Sequence, residues 1–223
     1  MQEKERLDRQ TIALRVAKEF QDGDVVNLGI GLPGLASNFV PAGREVLFHV
    51  ETGVLGFGEM TAPGEGDWEL VNASGQTVRE QPGMSCFDHA EAFVMIRGGH
   101  VDISVMGAFQ VSEKGDLANY MVPERQVGVI GGAMDLAVGA KRLIVAMNHT
   151  TKDGKPRIVK DCSYPLTAIN CVDLIVTDIA VIEVTDKGLV IKEMAPGWTP
   201  EEVQSLTEPT LIIAPDCQEM VLM

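Results

Sequence analysis

Glu51 is the residue around which chemistry can be built. It follows the apolar run Val46, Leu47, Phe48, His49 and Val50 and precedes Thr52 and Gly53. A carboxylate therefore stands where a buried strand ends and the backbone turns. Such a group can act as a nucleophile, a general base or a metal ligand, or be solvated in a loop. The bare pattern favours the loop. Two small-residue clusters accompany it. Gly29, Gly31 and Pro33 follow a short apolar strand and resemble part of a dinucleotide fingerprint, but the third glycine is misplaced and Pro33 occupies the turn. This is either a tight strand-to-helix turn or a backbone platform that lets a ligand reach the amides. Gly131, Gly132 and Ala133 offer N–H groups ahead of a helix, which can bind an oxyanion or merely close a turn. His49 and Glu51 would share a strand face if the strand continued, though a lone strand histidine is more often a packing or hydrogen-bonding residue. Lys152, Asp153, Gly154 and Lys155 form a hairpin-turn pattern. The cysteines Cys86, Cys162, Cys171 and Cys217 show neither C-x-x-C nor zinc-ligand spacing, so no metal site is expected and they fit buried reduced thiols.

These residues need elements to hold them. Residues 3–22 carry an apolar stripe (Leu7, Ile12, Val16, Phe20) at helical spacing, stopped by Gly23. A strand from Asp24 runs into the 29–33 turn, and a helix follows over 34–40. Residues 45–50 form the strand ahead of Glu51, and 56–66 are loop-rich. A helix is expected over 88–97, with strands over 101–106, 127–130, 143–147, 174–177, 180–184, 189–194 and 211–214. A short helix over 200–206 takes Thr199 as its cap. Continuous apolar runs without alternation suit strands covered on both faces, so the fold class is α/β, with an open, mainly parallel sheet flanked by helices. The runs between 173 and 194 could add antiparallel strands. In such sheets sites lie at the carboxyl ends of strands, where residues 29–33, 51–53 and 131–133 all fall.

Length and composition bound the rest. At 223 residues with 45% hydrophobic content, the chain is expected to form one domain, 1–223. A formal net charge of −14 disfavours nucleic acid as a partner. No apolar run reaches the roughly 20 residues of a membrane span, and residues 1–9 lack a signal-peptide core, so the expected location is cytoplasmic.

In order, the chain carries Asn27-Leu28-Gly29-Ile30-Gly31-Leu32-Pro33, Glu51-Thr52-Gly53-Val54-Leu55-Gly56, Arg97-Gly98-Gly99-His100-Val101-Asp102, Gly107-Ala108-Phe109-Gln110, Gly115-Asp116-Leu117-Ala118-Asn119, Gly131-Gly132-Ala133-Met134-Asp135 and His149-Thr150-Thr151-Lys152-Asp153-Gly154. Together these resemble the B subunit of the family I, 3-oxoacid-type coenzyme A transferases. The resemblance spans nearly the whole chain. It implies a sheet fold shared with phosphosugar isomerases, coenzyme A as substrate with no permanently bound cofactor, and a separately encoded A (alpha) subunit in a heterodimer or heterotetramer. It makes Glu51 the nucleophile, the backbone amides of Gly132 and Ala133 the oxyanion donors, and Gly29, Gly31, Thr52 and Gly53 substrate-binding residues. The implied reaction moves CoA between short-chain acids, such as acetoacetate with acetate, butyrate or succinate, through a glutamyl-CoA thioester and ping-pong kinetics. Acyl-CoA hydrolysis, or a non-catalytic ligand-sensing role on the same scaffold, are the alternatives. One departure stands out: the family usually has Ser-Glu-Asn-Gly at the nucleophile, and this chain has Val50-Glu51-Thr52-Gly53.

Overall fold

Asp8 starts the first helix. Its carboxylate accepts hydrogen bonds from the Thr11 amide at 2.8 Å and the Thr11 hydroxyl at 2.7 Å, the arrangement that satisfies an otherwise orphaned amide. Helix α1 then runs over Arg9–Ala17, shorter than the 3–22 pattern. From Lys18 to Phe20 the amides bond three residues back rather than four, so the apolar stripe continues through tighter turns to Phe20, which is fully buried. The computed structural model describes residues 4–125 and 127–222. Glu3, at the start of the expected helix, and both ends of the expected domain lie outside them.

The chain continues through β1 (Val25–Leu28), a 3-10 helix (Pro33–Phe39), β2 (Leu47–Val50), β3 (Val54–Phe57) and β4 (Ser85–Cys86). Next come α2 (His89–Arg97), β5 (Ile103–Met106), β6 (Gln110–Ser112), β7 (Leu117–Ala118), β8 (Met121–Val122) and β9 (Val127–Gly128). The remainder is α3 (Ala133–Gly139), β10 (Arg142–Met147), β11 (Ile158–Val159), β12 (Leu174–Thr177), β13 (Ala180–Thr185), β14 (Gly188–Met194), α4 (Pro200–Ser205) and β15 (Leu211–Glu219).

Among the described residues, ten strands form one sheet in the order β15-β14-β13-β12-β10-β5-β1-β2-β3-β4. The five central strands, β12, β10, β5, β1 and β2, are parallel. The expected antiparallel additions follow β12, where β13 and β14 turn back, and a second pair, β3 and β4, lies beyond β2. This is the open, mainly parallel α/β sheet expected from the unalternating apolar runs.

Those runs divide between two cores. Leu143, Val145 and Met147 of β10 pack with Ile96, Leu136 and Ile175 on one face. Ile144 and Ala146, the alternate residues, pack with Ile12, Val16, Phe20 and Val105 on the other, as a two-residue side-chain period requires. Each fully buried isoleucine or phenylalanine removes enough apolar surface to stabilise the fold by roughly 1.5–3 kcal/mol.

The expected strand over 127–130 differs. Only Val127 and Gly128 are extended, and they pair with Met121 and Val122 in a two-stranded ribbon outside the main sheet. Val129 is 82% exposed. An apolar run reads alike whether its side chains enter a core or line a cavity mouth, and here Val129 and Ile130 do the latter.

The polar interior carries a pH dependence. His149 is fully buried after β10. Its Nδ1 and Nε2 lie 3.0 Å from the Thr177 hydroxyl and 2.8 Å from the Thr207 hydroxyl. Burial lowers its pKa to about 4, only partly opposed by Asp178. His49, also buried, is lowered by the same cause. A proton that the unfolded chain binds near pH 6.5 is thus refused by the folded one. Stability should fall as pH drops from about 6.5 to 4, with His149 contributing about 3 kcal/mol of that loss. Urea denaturation from pH 7 to pH 4 measures it; an unchanged acid limb in His149→Gln would remove His149 as the cause.

Candidate active site

Strand β2 ends at Val50, and residues 51–53 reverse the chain into β3, with Val50 paired to Val54. Glu51 occupies the apex. Gly53 makes the reversal possible. Its φ is +108°, and an added Cβ would overlap the Phe87 carbonyl. The Gly53 amide donates to the Val50 carbonyl, and the Phe87 amide donates to the Gly53 carbonyl, both at 3.0 Å. Gly53→Ala therefore combines an unfavourable backbone with a collision against fixed main chain. A loss of about 2–3 kcal/mol is expected in chemical denaturation; wild-type stability would contradict this geometry.

The Glu51 main chain is held from α2. His89 Nδ1 donates to the Glu51 carbonyl at 2.9 Å, and the His89 ring rests on Phe93 with centroids 4.7 Å apart. The carboxylate is directed at Gly131 and Gly132. A Cβ at Gly131 would stand 3.9 Å from Oε1, and one at Gly132 would overlap Oε2. Helices α2 and α3 bring these parts together. They pack so closely that a Cβ at Gly139 would meet the Ile96 backbone, and Arg97 bonds Asp135 at 2.7 Å across the pair.

Glu51, Gly131, Gly132 and Ala133 line one cavity of about 330 Å³ together with Asn27, Leu28, Gly29, Ile30, Ala73, Met106, Gly107, Ala108, Phe109, Asn119, Val129, Ile130 and Leu136. It sits beyond the carboxyl ends of β1 and β5. The chain leaves β1 toward β2 on one side and reaches β5 on the other, so this is the point where strand order reverses and where open α/β sheets bind ligands. Glu51 is the one charged side chain among the described lining residues. A larger groove of about 650 Å³, bordered by Glu113, Lys114, Asp173, Asp186 and Lys187, shares none of these residues.

The residues singled out from sequence separate into groups. Gly29 lines the cavity, where its amide donates to the Val105 carbonyl at 2.8 Å and a Cβ would come 3.0 Å from that oxygen. Gly31 supplies the turn instead: its φ is +87° and its amide donates to Ser74 Oγ at 3.0 Å. Thr52 is exposed, Gly53 is buried in the hairpin, and neither lines the cavity. The Ala133 amide donates to the Ile130 carbonyl at 3.1 Å, which leaves the Gly132 amide as the less committed of the two. His49 does not pair with the Glu51 carboxylate, because the strand ends at Val50. Its Nδ1 instead accepts from Asn27 Nδ2 at 3.1 Å, and that same amide nitrogen donates to the His49 carbonyl at 3.2 Å. Lys152 to Lys155 form a turn in which the Thr151 amide donates to the Lys155 carbonyl at 2.8 Å.

Several lining residues carried no assigned role in sequence. Met106 ends β5 and Gly107, Ala108 and Phe109 follow it, the position the strand-end rule selects. Asn119 and Ala73 come from connections. Ala73 belongs to a loop folded on itself by Asn72, whose Oδ1 accepts from the Ser74 and Gln76 amides at 2.9 and 3.1 Å.

The sequence that builds this sheet and cavity matches a known family. Residues 9–206 fit the coenzyme A transferase family model, and the chain belongs to that family. The relatives are more particular. The chain is 48% identical over 201 residues to the beta subunit of a probable coenzyme A transferase of Bacillus subtilis, covering 90% of this chain and 93% of that one. It is 49% identical over 208 residues to the B subunit of a 3-oxoadipate CoA-transferase of Pseudomonas putida, covering 93% and 97%. Among solved structures, an acyl-CoA transferase of Escherichia coli O157:H7 superposes with a TM-score of 0.76 at 20% identity, over 97% of this chain and 44% of that one. That likeness bears on the fold.

Proposed function

We propose that this chain is the B subunit of a transferase that moves CoA between short-chain carboxylic acids, with Glu51 as the nucleophile. One observation carries the reading. The single charged group among the described cavity residues is a carboxylate pressed against the Gly131–Gly132 backbone, with no cation beside it. An apolar wall strips water from a carboxylate and strengthens it as a nucleophile.

The steps follow. The Glu51 carboxylate attacks the thioester carbonyl of an acyl-CoA, and the tetrahedral species expels the CoA thiolate to leave an acyl-glutamyl anhydride. The thiolate then attacks the glutamyl carbonyl, releasing the first acid and leaving CoA on Glu51 as a thioester. The acceptor carboxylate reverses both steps, regenerating Glu51 and a new acyl-CoA. No water is consumed. The developing oxyanions require preorganised donors, for which the Gly132 amide is the better placed. The Ala133 amide would first have to leave Ile130. Gly29 lets the acyl group approach the end of β1, while Gly31, Thr52 and Gly53 act through the shape of the two turns. Coenzyme A carries phosphates, and the described cavity residues supply no cation, so an A (alpha) subunit is assigned the CoA-holding role. Acetoacetate paired with acetate, butyrate or succinate is the proposed substrate set.

The test is peptide mapping of the complex with its A subunit after incubation with acetoacetyl-CoA, with and without borohydride. Modification of the Glu51 peptide only when acyl-CoA is present is expected. Turnover with an unmodified Glu51 would replace this mechanism by direct attack of water or acceptor. Product analysis separates transfer from hydrolysis, since transfer requires an acceptor acid.

A further inference from the structure

We propose that Asn119 selects 3-oxoacyl substrates by donating a hydrogen bond from Nδ2 to the 3-keto oxygen. The proposal rests on the transferase reading above and deepens it. Asn119 enters the cavity from the link between β7 and β8 and shares its lining with Glu51.

Its carboxamide has a defined orientation. The Asn119 main-chain amide donates to Thr167 Oγ1 at 3.2 Å, and the Thr167 hydroxyl donates to Asn119 Oδ1 at 2.6 Å. Thr167 is itself buried, with its amide on the Leu117 carbonyl at 2.7 Å. The Thr167 hydroxyl thus accepts from the main chain and gives its one proton to the carboxamide oxygen. Oδ1 therefore faces Thr167, and Nδ2 points away from it. Nδ2 lies 3.7 Å from Met106 Sδ. A thioether is a weak acceptor, while an amide nitrogen carries two protons.

Most of the neighbouring lining is apolar: Leu28, Ala73, Ala108 and Phe109. A donor left without an oxygen acceptor in such a place is costly, and a ligand oxygen that satisfies it gains specificity. The thioester carbonyl at C1 belongs beside Glu51 and Gly132. The next oxygen along a 3-oxoacyl chain is the ketone at C3, and a saturated chain of equal length has none there. Asn119 thereby rewards the 3-oxo chain and leaves its own amide unpartnered with the saturated one.

The experiment compares acetoacetyl-CoA with butyryl-CoA, donors of equal carbon number, with acetate as the common acceptor and the full complex with the A subunit as enzyme. In Asn119→Leu the ratio of kcat/KM for the two donors should fall about 10- to 100-fold, through loss on acetoacetyl-CoA, with butyryl-CoA little changed. Thr167→Val should lower the same ratio by a smaller factor, because the carboxamide loses its clamp. It also serves as the informative variant if Asn119→Leu fails to fold by thermal melting. Equal losses on both donors would make Asn119 a donor to the C1 oxygen or a structural residue, and would overturn the proposal, as would an unchanged ratio in a folded variant. A wild-type complex that moves CoA from neither donor overturns the transferase reading, and this proposal with it.

Discussion

Glu51→Gln is expected to lower CoA transfer by at least about 10⁴-fold, the scale on which enzymes lose rate when a nucleophile is removed. The substitution preserves shape and exchanges a nucleophilic oxygen for an amide. Glu51 sits at the apex of a turn whose strain is borne by Gly53 and whose carbonyl is held by His89. Both of these contacts use main chain, so the fold and melting temperature should be unchanged. Steady-state kinetics of the complex, with residual wild-type enzyme excluded by mass, measures the effect. A variant that keeps even a tenth of wild-type turnover would remove Glu51 from the covalent pathway.

Gly132→Ala is expected to lower turnover about 100-fold with little loss of stability. The Gly132 backbone, at φ −84°, tolerates alanine. The added methyl would overlap the Glu51 carboxylate and come 2.9 Å from Phe93 Cζ. The carboxylate is the far end of a flexible side chain and can swing aside at small cost. A displaced nucleophile is nonetheless expensive in rate, since an error of about 1 Å can cost 10²-fold. Calorimetry and kinetics on the same preparation separate the two effects. Wild-type rates would show that Glu51 reacts from a different position, and a large loss of stability would mean that Phe93 cannot yield.

Part of the site was legible in the sequence. Glu51, Gly29 and the Gly131 cluster each end or follow an apolar run, and the strand-end rule places such positions near a ligand. The cluster at 131 nevertheless reaches the cavity from a small ribbon rather than from the main sheet. Asn119 and Ala73 carried no such signal. Each lies in a connection, and a connection's destination depends on which strands it bridges. The division of roles among the glycines was equally hidden: Gly29 and Gly31 are two residues apart, yet one faces the cavity and the other binds Ser74.

The sequence by itself determined the α/β class, the parallel character of the central strands and the nucleophile candidate. Local causes suffice for these: caps such as Asp8 and Thr199, unbroken apolar runs, and a carboxylate set at the end of one of them. Tertiary structure decided what Glu51 faces. Its carboxylate meets a backbone 80 residues further along the chain, because α2 and α3 interlock at Gly139 and because β5 and β2 flank β1. Close approach across the fold depends on packing between elements distant in sequence, and no local propensity encodes it.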